Sequence, residues 1–539
     1  MWVLGVNWKL HDSSAALVDG EGRIWAMAEE ERFTRVKHAE GTFPAHAARF
    51  CLDTAGLTWR DIDVVAMGWD MPRFREWHDS ERQEMYAALF GPEAASGKGP
   101  ELVFVEHHLA HALSAFHASG FDKAGVLVVD GSGEFESASI YAGDRASGLT
   151  LKRRWPRGYS LGAMYEATSR LLGFGKHGAG KTMGLAPYGM KSESVVLPMG
   201  DMVGDGVWKD KPPLDLAPDA PYDMLADSWM NYLTGRFGAV TRPTEQLDAD
   251  PVGIRLAASA QRTVEEAYRD LYAETVCLAG TDQVCLSGGV ALNCVANGKL
   301  SDPTYVPPFP HDAGVSLGAA WYVCPPKEHA LLASPYLGTD LGSGAQELDL
   351  LRAEGFSVTE FSPDVVTDLL LGGAIGAVAE GRAEIGPRAL GHRSIVAVPR
   401  PSDVRNRINT LKNREQWRPL APVTLAEYAP ELWPSQGLRE RYMVGSSSVS
   451  GLARNVMSAA THPVDGTTRP QVVAPGQAPV VESLLHQLQD VGAPPVLVNT
   501  SFNGREEPVV DTAADAVRTF RSIGLDFLVL GSHLVKPGK

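Results

Sequence analysis

Hydrophobic segments recur in the first third of the chain in two similar successions. Residues 2–31 contain the apolar segment WVLGV, a polar turn, AALVD, a glycine turn and RIWAMAEEE. Residues 126–155 repeat this order with VLVVD, the turn GSGE, SASIYAG, a polar turn and LTLKRRW. Short apolar segments bounded by glycine and polar turns are typical of strands. The pattern therefore predicts two three-stranded meanders and, because they match, an internal duplication.

This duplication indicates the architecture of actin-like ATPases and sugar kinases, in which a nucleotide lies between duplicated halves. Residues 190–250 are rich in Pro, Asp and Gly and predict an irregular surface segment. The small and polar stretch 334–348 predicts a domain boundary, and the helical pattern at 363–371 begins a second domain. We therefore predict an α/β protein with an actin-like domain over residues 1–345 and another α/β domain over 346–539.

Composition narrows the class of function. A chain of 539 residues is too long for one core, which also favours at least two domains. The formal net charge of −16 and pI near 5.4 disfavour nucleic acid as a partner, because phosphate backbones are bound by basic surfaces. Five cysteines without a C-x-x-C pair, no leader pattern and no apolar run of membrane length predict a cytoplasmic protein without membrane association.

Two histidines and two aspartates suggest a metal site in the first domain. His107 and His111 have the spacing that places two imidazoles on successive turns of one helix. Asp130 ends the apolar strand VLVV, and Asp312 stands just before an Ala-rich helix. Together they would form a complete shell of nitrogen and oxygen ligands. The alternatives are a structural histidine pair and a site in which His108 replaces His107.

Glycine-rich turns in the same domain predict a nucleotide site. Residues 162–189 read as a helix followed by a loop rich in glycine and lysine, in which Lys181 could neutralise an anion. This loop is not a Walker motif, because a helix rather than a strand precedes it. Further along, a strand leads into Gly288 and Gly289, and Asn293 follows one helical turn later. Strand, glycine turn and helix in this order make room for a nucleotide.

The second domain concentrates basic residues in an otherwise acidic protein. Its densest basic stretch contains Arg388, Arg393, Lys412, Arg414 and Arg418. A solvated charged face is the alternative, but Gly, Pro, Trp and Leu between the cations favour an enclosed anion. Arg469 adds a cation, and the strand PVLVN leads into Asn499 and Ser501, which offer uncharged polar groups.

These segments together resemble the O-carbamoyltransferase family, which includes the nodulation-factor, cephamycin and tobramycin carbamoyltransferases. The resemblance runs nearly end to end. It is carried by HDSSAAL, EEERFTR, HHLAHALSAF, VDGSGE, KTMGLAPYG, SGGVALN, HDAGVSLG, EIGPRALGHRSI, REQWRPLAP, DGTTRPQVV and NTSFNGREEPVV.

The resemblance implies an N-terminal domain like that of tRNA threonylcarbamoyl transferases and a C-terminal domain like threonylcarbamoyl-adenylate synthases. It also implies that the second domain makes carbamoyl-adenylate from carbamoyl phosphate and ATP, and that the first passes the carbamoyl group to an alcohol. The metal would be iron(II) by resemblance, with manganese and zinc as alternatives on ligand chemistry. The expected acceptor is a small, antibiotic-type natural product, and a homodimer is an open alternative.

Residue roles follow from this scheme. Lys181, Gly288, Gly289 and Asn293 would hold the adenylate in the first domain. Arg388, Arg393, Lys412, Arg418 and Arg469 would neutralise carbamoyl phosphate and the triphosphate, with Asn499 and Ser501 as uncharged donors. His11 and Asp12 are candidates for the base that takes the proton of the acceptor hydroxyl. The alternative is that His11 and Asp12 only cap a turn.

The sequence leaves two rival functions. One is a tRNA threonylcarbamoyl transferase, which the acidic balance and the second domain disfavour. The other is a non-catalytic nucleotide-binding scaffold of the actin type, which would release no pyrophosphate from ATP and carbamoyl phosphate.

Overall fold

A computed structural model of the chain describes residues 1–8, 10–96, 99–190, 194–197, 220–434 and 437–538. These residues form two compact units. The first unit consists of Met1–Glu30 and His38–Ala333, and the second of Glu31–Lys37 and Ser334–Lys539. The domain boundary between residues 345 and 346 stays a prediction. Among the helices of the described residues, none has the length and apolar character needed to cross a bilayer.

The first sheet of unit 1 has five strands in the order β3-β2-β1-β4-β5. Strands β1 to β3 form an antiparallel meander, and β4 and β5 continue the sheet in parallel from β1. The strands are β1 (Trp2–Val6), β2 (Ser14–Asp19), β3 (Ile24–Glu29), β4 (Val64–Met67) and β5 (Glu101–Phe104).

The second sheet of unit 1 repeats this topology. Strands β6 to β8 form an antiparallel meander, and β9 and β10 extend it in parallel from β6. The strands are β6 (Lys123–Val129), β7 (Glu136–Asp144), β8 (Gly148–Pro156), β9 (Val284–Ser287) and β10 (Thr304–Tyr305). The order β8-β7-β6-β9-β10 matches β3-β2-β1-β4-β5 strand for strand. The predicted duplication and the actin-like α/β class are therefore confirmed.

Two glycines allow one helix of unit 1 to pack very closely against its neighbours. The helix Val315–Val323 packs against both β1 and the helix His107–Ala118. A Cβ on Gly5 would lie 1.8 Å from the Ser316 carbonyl oxygen, and one on Gly318 would lie 1.8 Å from the Ala110 carbonyl oxygen. Only glycine fits either contact. The start of this helix is thereby fixed beside the histidine helix.

The helices of unit 1 include one that the sequence did not predict. Part of the segment predicted to be irregular forms the helix Tyr222–Phe237, and residues 191–193 and 198–219 lie outside the described residues. Most of the predicted glycine- and lysine-rich loop is also helical. The α-helices of unit 1 are Ala45–Ala55, Met71–Phe74, Asp79–Phe90, Pro92–Ser96, His107–Ala118, Leu161–Leu171, Ala179–Gly189, Tyr222–Phe237, Pro251–Ala279, Cys294–Asn297 and Val315–Val323.

Unit 2 is built on one mixed sheet with the order β11-β20-β19-β12-β13-β18-β14-β17. Its strands are β11 (Ser357–Glu360), β12 (Gly376–Ala379), β13 (Arg393–Ala397), β14 (Ala421–Leu425), β17 (Gln471–Val473), β18 (Val496–Ser501), β19 (Phe527–Leu530) and β20 (His533–Lys536), with β15 (Ser447–Ser448) and β16 (Thr467–Thr468) forming a separate pair. The α/β class of this unit is confirmed, and its likeness to threonylcarbamoyl-adenylate synthases stays a prediction.

Helices cover the sheet of unit 2 and bury its apolar residues. The core includes Ile395, Trp433, Val498, Phe520 and Leu528. The α-helices are Glu31–Thr34, Ala345–Ala353, Pro363–Leu371, Asp403–Leu411, Ala429–Leu432, Gly451–Val456, Pro479–Asp490 and Ala513–Ile523. Short 3-10 segments in the two units lie at Lys37–Ala39, Trp59–Asp61, Arg157–Tyr159, Thr244–Ala249, Gly289–Leu292, Asp312–Gly314, Leu438–Tyr442 and Ser458–Ala460.

Candidate active site

The four predicted metal ligands come together in unit 1. His107 and His111 lie on one face of the helix His107–Ala118, and Asp130 follows the end of β6. Asp312 begins the turn that leads into the helix Val315–Val323. One ligand atom from each of the four residues lies within 4.8 Å of the others, and all four residues are buried.

The distances between these atoms match the edges of a coordination polyhedron. Nε2 of His107 lies 3.4 Å from Oδ2 of Asp130 and 3.6 Å from Oδ1 of Asp312. Nε2 of His111 lies 3.8 Å and 3.4 Å from the same two oxygens. Bonds of about 2.1 Å to a tetrahedral ion would set ligand atoms about 3.4 Å apart. Neither Nε2 atom has a hydrogen bond of acceptable geometry within the described residues. The donor set therefore fits a divalent first-row metal.

Outer contacts orient three of the four ligands. Nδ1 of His107 lies 3.0 Å from the Gly68 carbonyl oxygen, and Nδ1 of His111 lies 3.3 Å from the Ser287 hydroxyl. The Gly289 N–H donates to Oδ1 of Asp130 at 2.7 Å. Such contacts fix the histidine tautomer and the carboxylate orientation in metal sites.

His108 takes no part in the centre. Its Nδ1 lies 2.8 Å from the hydroxyl of Ser139, on strand β7. Burial lowers the pKa of His108 well below its usual value. His107 rather than His108 is thus the partner of His111, which removes one of the two sequence alternatives.

Charge at the centre is balanced within the cluster. Burial favours protonation of Asp130, but its interaction with the imidazole of His107 outweighs burial and lowers the pKa of Asp130 to about 2. Burial also favours protonation of Asp312, and the charges of His107 and His11 lower its pKa well below the usual value. Two buried carboxylates that stay ionised require positive charge beside them, from protonated imidazoles or from a cation.

The candidate base lies beside one of the ligands. Nδ1 of His11 is 3.0 Å from Oδ2 of Asp12 and 3.8 Å from Oδ2 of Asp312. Asp12 has a positive φ of 49°, and its other oxygen lies 2.8 Å from Nδ1 of His38. The ring of His38 stacks on His177 at 3.8 Å between centroids. Reasoning from the sequence missed His38 and His177, because they are distant from His11 along the chain.

The protonation state of His11 depends on its carboxylate neighbours. Burial lowers its pKa, but Asp312 and Asp12 outweigh burial and raise the pKa to about 9. The side chain is 35% exposed and can meet a ligand. A base must be deprotonated, so His11 can act as one only where the charge of Asp312 is offset, as in a metal-bound centre.

The residues predicted to bind the adenylate have other contacts. Gly288 has φ +87°, and a Cβ there would lie 2.3 Å from the Val129 carbonyl oxygen, so the glycine is required by close packing on β6. The N–H of Gly289 is used by Asp130, as described above. Asn293 forms a paired amide contact with Gln261 at 2.9 and 3.1 Å. Lys181 lies over the ring of Phe174. Their predicted role in nucleotide binding stays a prediction.

In unit 2 a cationic cluster is formed by the segments that precede β14 and β17, two strands that pair in parallel. Burial lowers the pKa of Arg418, and the charge of Arg469 lowers it further, while Glu415 opposes both effects. Burial, Arg418 and Arg469 lower the pKa of Arg414 well below its usual value. The structure thus brings together Arg418 and Arg469, both predicted, and adds Arg414, which the sequence placed only in the basic stretch.

Lys412 joins this cluster to the end of β18. Its Nζ donates to the carbonyl oxygens of Ser501 and Asn503 and to Oδ1 of Asn503. Burial lowers the pKa of Lys412 well below its usual value, and Arg414 and Arg418 act in the same direction. The predicted proximity of Lys412 and Ser501 is present in the structure. Their contact with a phosphate stays a prediction.

Two predicted phosphate-site residues in unit 2 have structural contacts. Arg393 is fully buried, and its five N–H groups donate to carbonyl oxygens. The acceptors are Glu380, His392, Asp511, Gly381 and Thr339. These contacts tie the guanidinium to the backbone around it, and the binding of phosphate by Arg393 stays a prediction. The amide N–H groups of Asn499 donate to the Ala389 carbonyl oxygen and to Oε1 of Gln471, and its predicted role as a donor to the ligand stays a prediction. Arg388 is half-buried between β12 and β13.

The fold and these sites define a two-unit α/β enzyme with a His/Asp centre in a duplicated unit and a cationic cluster in the other. Residues 2–89 and 85–321 match the family described as carbamoyltransferase N-terminus, and residues 367–537 match carbamoyltransferase C-terminus. The chain belongs to the carbamoyltransferase family and is a carbamoyltransferase. The predicted family is confirmed.

Relatives support the same family. The nodulation protein NolNO of Sinorhizobium fredii is 34% identical, over 98% of this chain and 79% of that protein. The nodulation protein NolO of Bradyrhizobium diazoefficiens is 35% identical, over 80% of this chain and 79% of that protein.

Solved structures give looser matches. The activator of 2-hydroxyisocaproyl-CoA dehydratase from Clostridium difficile with bound ADPNP has a TM-score of 0.34 and 12% identity, covering 60% of this chain and 94% of that one. Full-length HypF in the phosphate- and nucleotide-bound form has a TM-score of 0.32 and 14% identity, covering 62% of this chain and 56% of that one. The strand order described above, rather than these scores, carries the fold assignment.

Proposed function

We propose that the chain is an ATP-dependent O-carbamoyltransferase that makes carbamoyl-adenylate from carbamoyl phosphate and ATP. It then transfers the carbamoyl group to a hydroxyl of a small natural product of the antibiotic type. The observation that carries the proposal is the cluster of Lys412, Arg414, Arg418 and Arg469 in an acidic protein. Besides burial, Arg414 and Arg418 lower the pKa of Lys412, and Arg469 lowers the pKa of both Arg414 and Arg418. Cations held together at such proximity suit a ligand with several negative charges, such as a triphosphate.

The first half-reaction needs positioning and charge neutralisation. Water releases carbamate and phosphate from carbamoyl phosphate, and a carbamate oxygen then attacks the α-phosphorus of ATP. The bond to the bridging oxygen breaks, and pyrophosphate leaves. Arg418 and Arg469 would neutralise the polyphosphate, and Lys412 would hold the loop that follows β18 in place.

The second half-reaction belongs to the residues of unit 1. The acceptor oxygen attacks the carbamoyl carbon, AMP leaves as the mixed anhydride breaks, and the hydroxyl proton passes to a base. His11 would take this proton at Nε2, because its Nδ1 is held by Asp12. Asp12 would also keep His38 in place.

His107, His111, Asp130 and Asp312 would hold the metal in this unit. A bound divalent ion supplies positive charge for an anionic leaving group. Iron(II) is the proposed ion, with manganese and zinc as alternatives that suit the same ligands. The orphaned Nε2 atoms of both histidines support a metal over a purely structural histidine pair.

The proposed partner is a small hydroxylated molecule. The net charge of −16 argues against bulk nucleic acid, and hence against a tRNA threonylcarbamoyl transferase. The free state of all five cysteines is in keeping with a cytoplasmic location.

An acceptor screen tests this function. The purified protein is incubated with ATP, carbamoyl phosphate and pools of hydroxylated natural products, and each pool is examined by mass spectrometry for a gain of one carbamoyl group. We expect a product that requires both ATP and carbamoyl phosphate, together with release of AMP and pyrophosphate. Carbamoylation without ATP, or ADP as the nucleotide product, would contradict the proposal.

A further inference from the structure

An apolar pocket lies at one end of the sheet of unit 2. It has a volume of about 350 Å³. Its walls include Leu371 and Leu488 from two neighbouring helices, Val496 at the start of β18, and Val456. Leu488, Val496 and Val456 are buried, whereas Leu371 is 48% exposed. The apolar interior of the pocket therefore reaches the surface beside Leu371.

The backbone around the pocket is fixed by hydrogen bonds. The Pro399 carbonyl oxygen accepts from the Ala459 N–H at 3.0 Å, and the Pro401 carbonyl oxygen accepts from the Val404 N–H at 3.2 Å. Pro399, Pro401 and Pro494 all line the pocket, and proline has no backbone N–H. The walls thus hold their shape and offer few hydrogen-bond donors, as is typical of sites for the apolar part of a small ligand.

Arg400 brings a positive charge to this pocket. Its side chain is exposed, and within the part of the chain that the structure describes it has neither an ion pair nor a hydrogen bond. Arg407 on the next helix differs, because it lies 3.9 Å from Oδ2 of Asp526 and donates to the Gly373 carbonyl oxygen at 2.8 Å. In a protein with a net charge of −16, an unpaired guanidinium beside an apolar pocket is complementary to an anion.

The pocket is separate from the cationic cluster of the same unit. Val496 is the first residue of β18, and Ser501, which accepts from Lys412, is the last. About 16 Å of strand separates these two residues. Arg400 therefore lies at the other end of β18 from the proposed phosphate site.

We propose that this pocket binds a small carboxylate with a compact apolar body. The apolar body contacts Leu371, Leu488 and Val496, and the carboxylate meets the guanidinium of Arg400. Burial of apolar surface supplies most of the affinity, and Arg400 selects the charge of the ligand. The site is independent of the proposed function, because none of these residues has a part in either half-reaction.

Binding of three naphthalene derivatives to the full-length protein tests the selection of charge. Naphthoate, naphthylmethanol and naphthylmethylamine share one ring system and are negative, neutral and positive, and calorimetry measures their affinities. We expect the native protein to bind naphthoate about tenfold more tightly than the alcohol, and the amine most weakly. Equal affinity for the three probes, or no binding of naphthoate, would overturn the proposal.

Substitutions in the pocket test its location. Arg400→Ala should lose the preference for naphthoate over the alcohol, and Arg400→Lys should keep part of it. The control Arg407→Ala should bind all three probes as the native protein does. Ala493→Phe, at a half-buried position of the wall, should fill the pocket and weaken all three. A native preference in folded Arg400→Ala, an equal loss in Arg407→Ala, or native binding by folded Ala493→Phe would overturn the proposal.

Leu371→Glu gives a second readout if Ala493→Phe does not fold, because Leu371 is exposed and its replacement leaves the core unchanged. A carboxylate at this position should weaken the binding of naphthoate and strengthen that of naphthylmethylamine. The order of affinities found for the native protein, if unchanged in Leu371→Glu, would contradict the proposed site.

Excess inorganic pyrophosphate separates the pocket from the cationic cluster. The affinity of the native protein for naphthoate should be the same with and without pyrophosphate. Displacement of naphthoate by pyrophosphate would mean that naphthoate binds the cationic cluster, and the proposal would be wrong.

Discussion

Nδ1 of His107 lies 3.0 Å from the carbonyl oxygen of Gly68, and this contact determines which imidazole nitrogen meets the centre. A carbonyl oxygen only accepts hydrogen bonds, so Nδ1 carries a proton and, in the neutral ring, the lone pair lies on Nε2. Nε2 is the atom that faces Asp130 and Asp312. Gly68 is itself confined, because a Cβ there would lie 2.0 Å from Cγ1 of Val315. Packing thus fixes the backbone at Gly68, and the Gly68 carbonyl group orients His107 so that its Nε2 can act as a metal ligand.

Metal content should depend on His111. We expect the anaerobically reconstituted protein to bind about one divalent ion per chain, because four ligands converge only in folded unit 1. His111→Ala should bind at least about 10–100-fold more weakly, the loss typical even of an outer-shell contact. Elemental analysis after equilibrium dialysis measures this, with His117→Ala on the same helix as the control. Full occupancy in His111→Ala would show that the four residues are not a metal site.

The two half-reactions should be separable by mutation in unit 2. Arg418→Ala should lower adenylate formation by at least about a hundredfold, because it removes a cation from the proposed polyphosphate site. Its rate of transfer from supplied carbamoyl-adenylate should be native, since the proposed site of that step lies in unit 1. The exposed Arg352→Ala is the control. Loss of both activities in folded Arg418→Ala would argue for one shared site.

His11 should matter for transfer alone. Removal of a general base commonly costs about 10²–10⁴-fold in rate, so His11→Ala should slow transfer by that much while pyrophosphate release stays near native. Quenched-flow assays of the two steps measure this, with the exposed His329→Ala as the control. Native transfer by His11→Ala would leave His11 and Asp12 as turn residues only.

A buried glutamate should make the stability of the protein fall with rising pH. Burial raises the pKa of Glu380 to about 7, although the N–H of Val480, 3.0 Å from its carboxylate, opposes the shift. An acidic group whose pKa is raised in the folded state contributes fully to the stability of the folded protein below its usual pKa of 4.5. That contribution is lost as the pH rises through 7. The lost contribution is up to about 3 kcal/mol.

Melting temperatures of Glu380→Gln and the native protein test this between pH 5 and pH 8. The neutral glutamine keeps an acceptor for Val480, so the variant should melt higher than the native protein at pH 8 and not at pH 5. The exposed Glu360→Gln should follow the native curve. Parallel curves for Glu380→Gln and the native protein would mean that Glu380 titrates normally.

The sequence was sufficient to predict the cluster of two histidines and two aspartates and the duplication. His107 and His111 are related by helical periodicity, and Asp130 and Asp312 mark the ends of strongly apolar or Ala-rich segments. Such local patterns can be interpreted from the sequence alone because they determine which face of a helix is buried. The repeated meander likewise needed only the spacing of apolar segments and turns.

Other features depend on contacts between distant segments. The five donors of Arg393 bind carbonyls that only the folded sheet brings together. The stacking of His38 on His177 and the attachment of Arg35 to residues 508 and 509 are equally non-local. The helix Tyr222–Phe237 was missed because its buried Leu225, Trp229 and Leu233 lie in a stretch next to many prolines and aspartates.

The central claim is that one intermediate carries both the carbamoyl carbon and the α-phosphate of ATP. A rapid-quench experiment with carbon-labelled carbamoyl phosphate and α-phosphorus-labelled ATP, without acceptor, measures this directly. We predict a single species that carries both labels, forms together with pyrophosphate, and yields AMP and a carbamoylated product when acceptor is added. Carbon label that reaches the acceptor without passing through a species containing the α-phosphate would contradict the account.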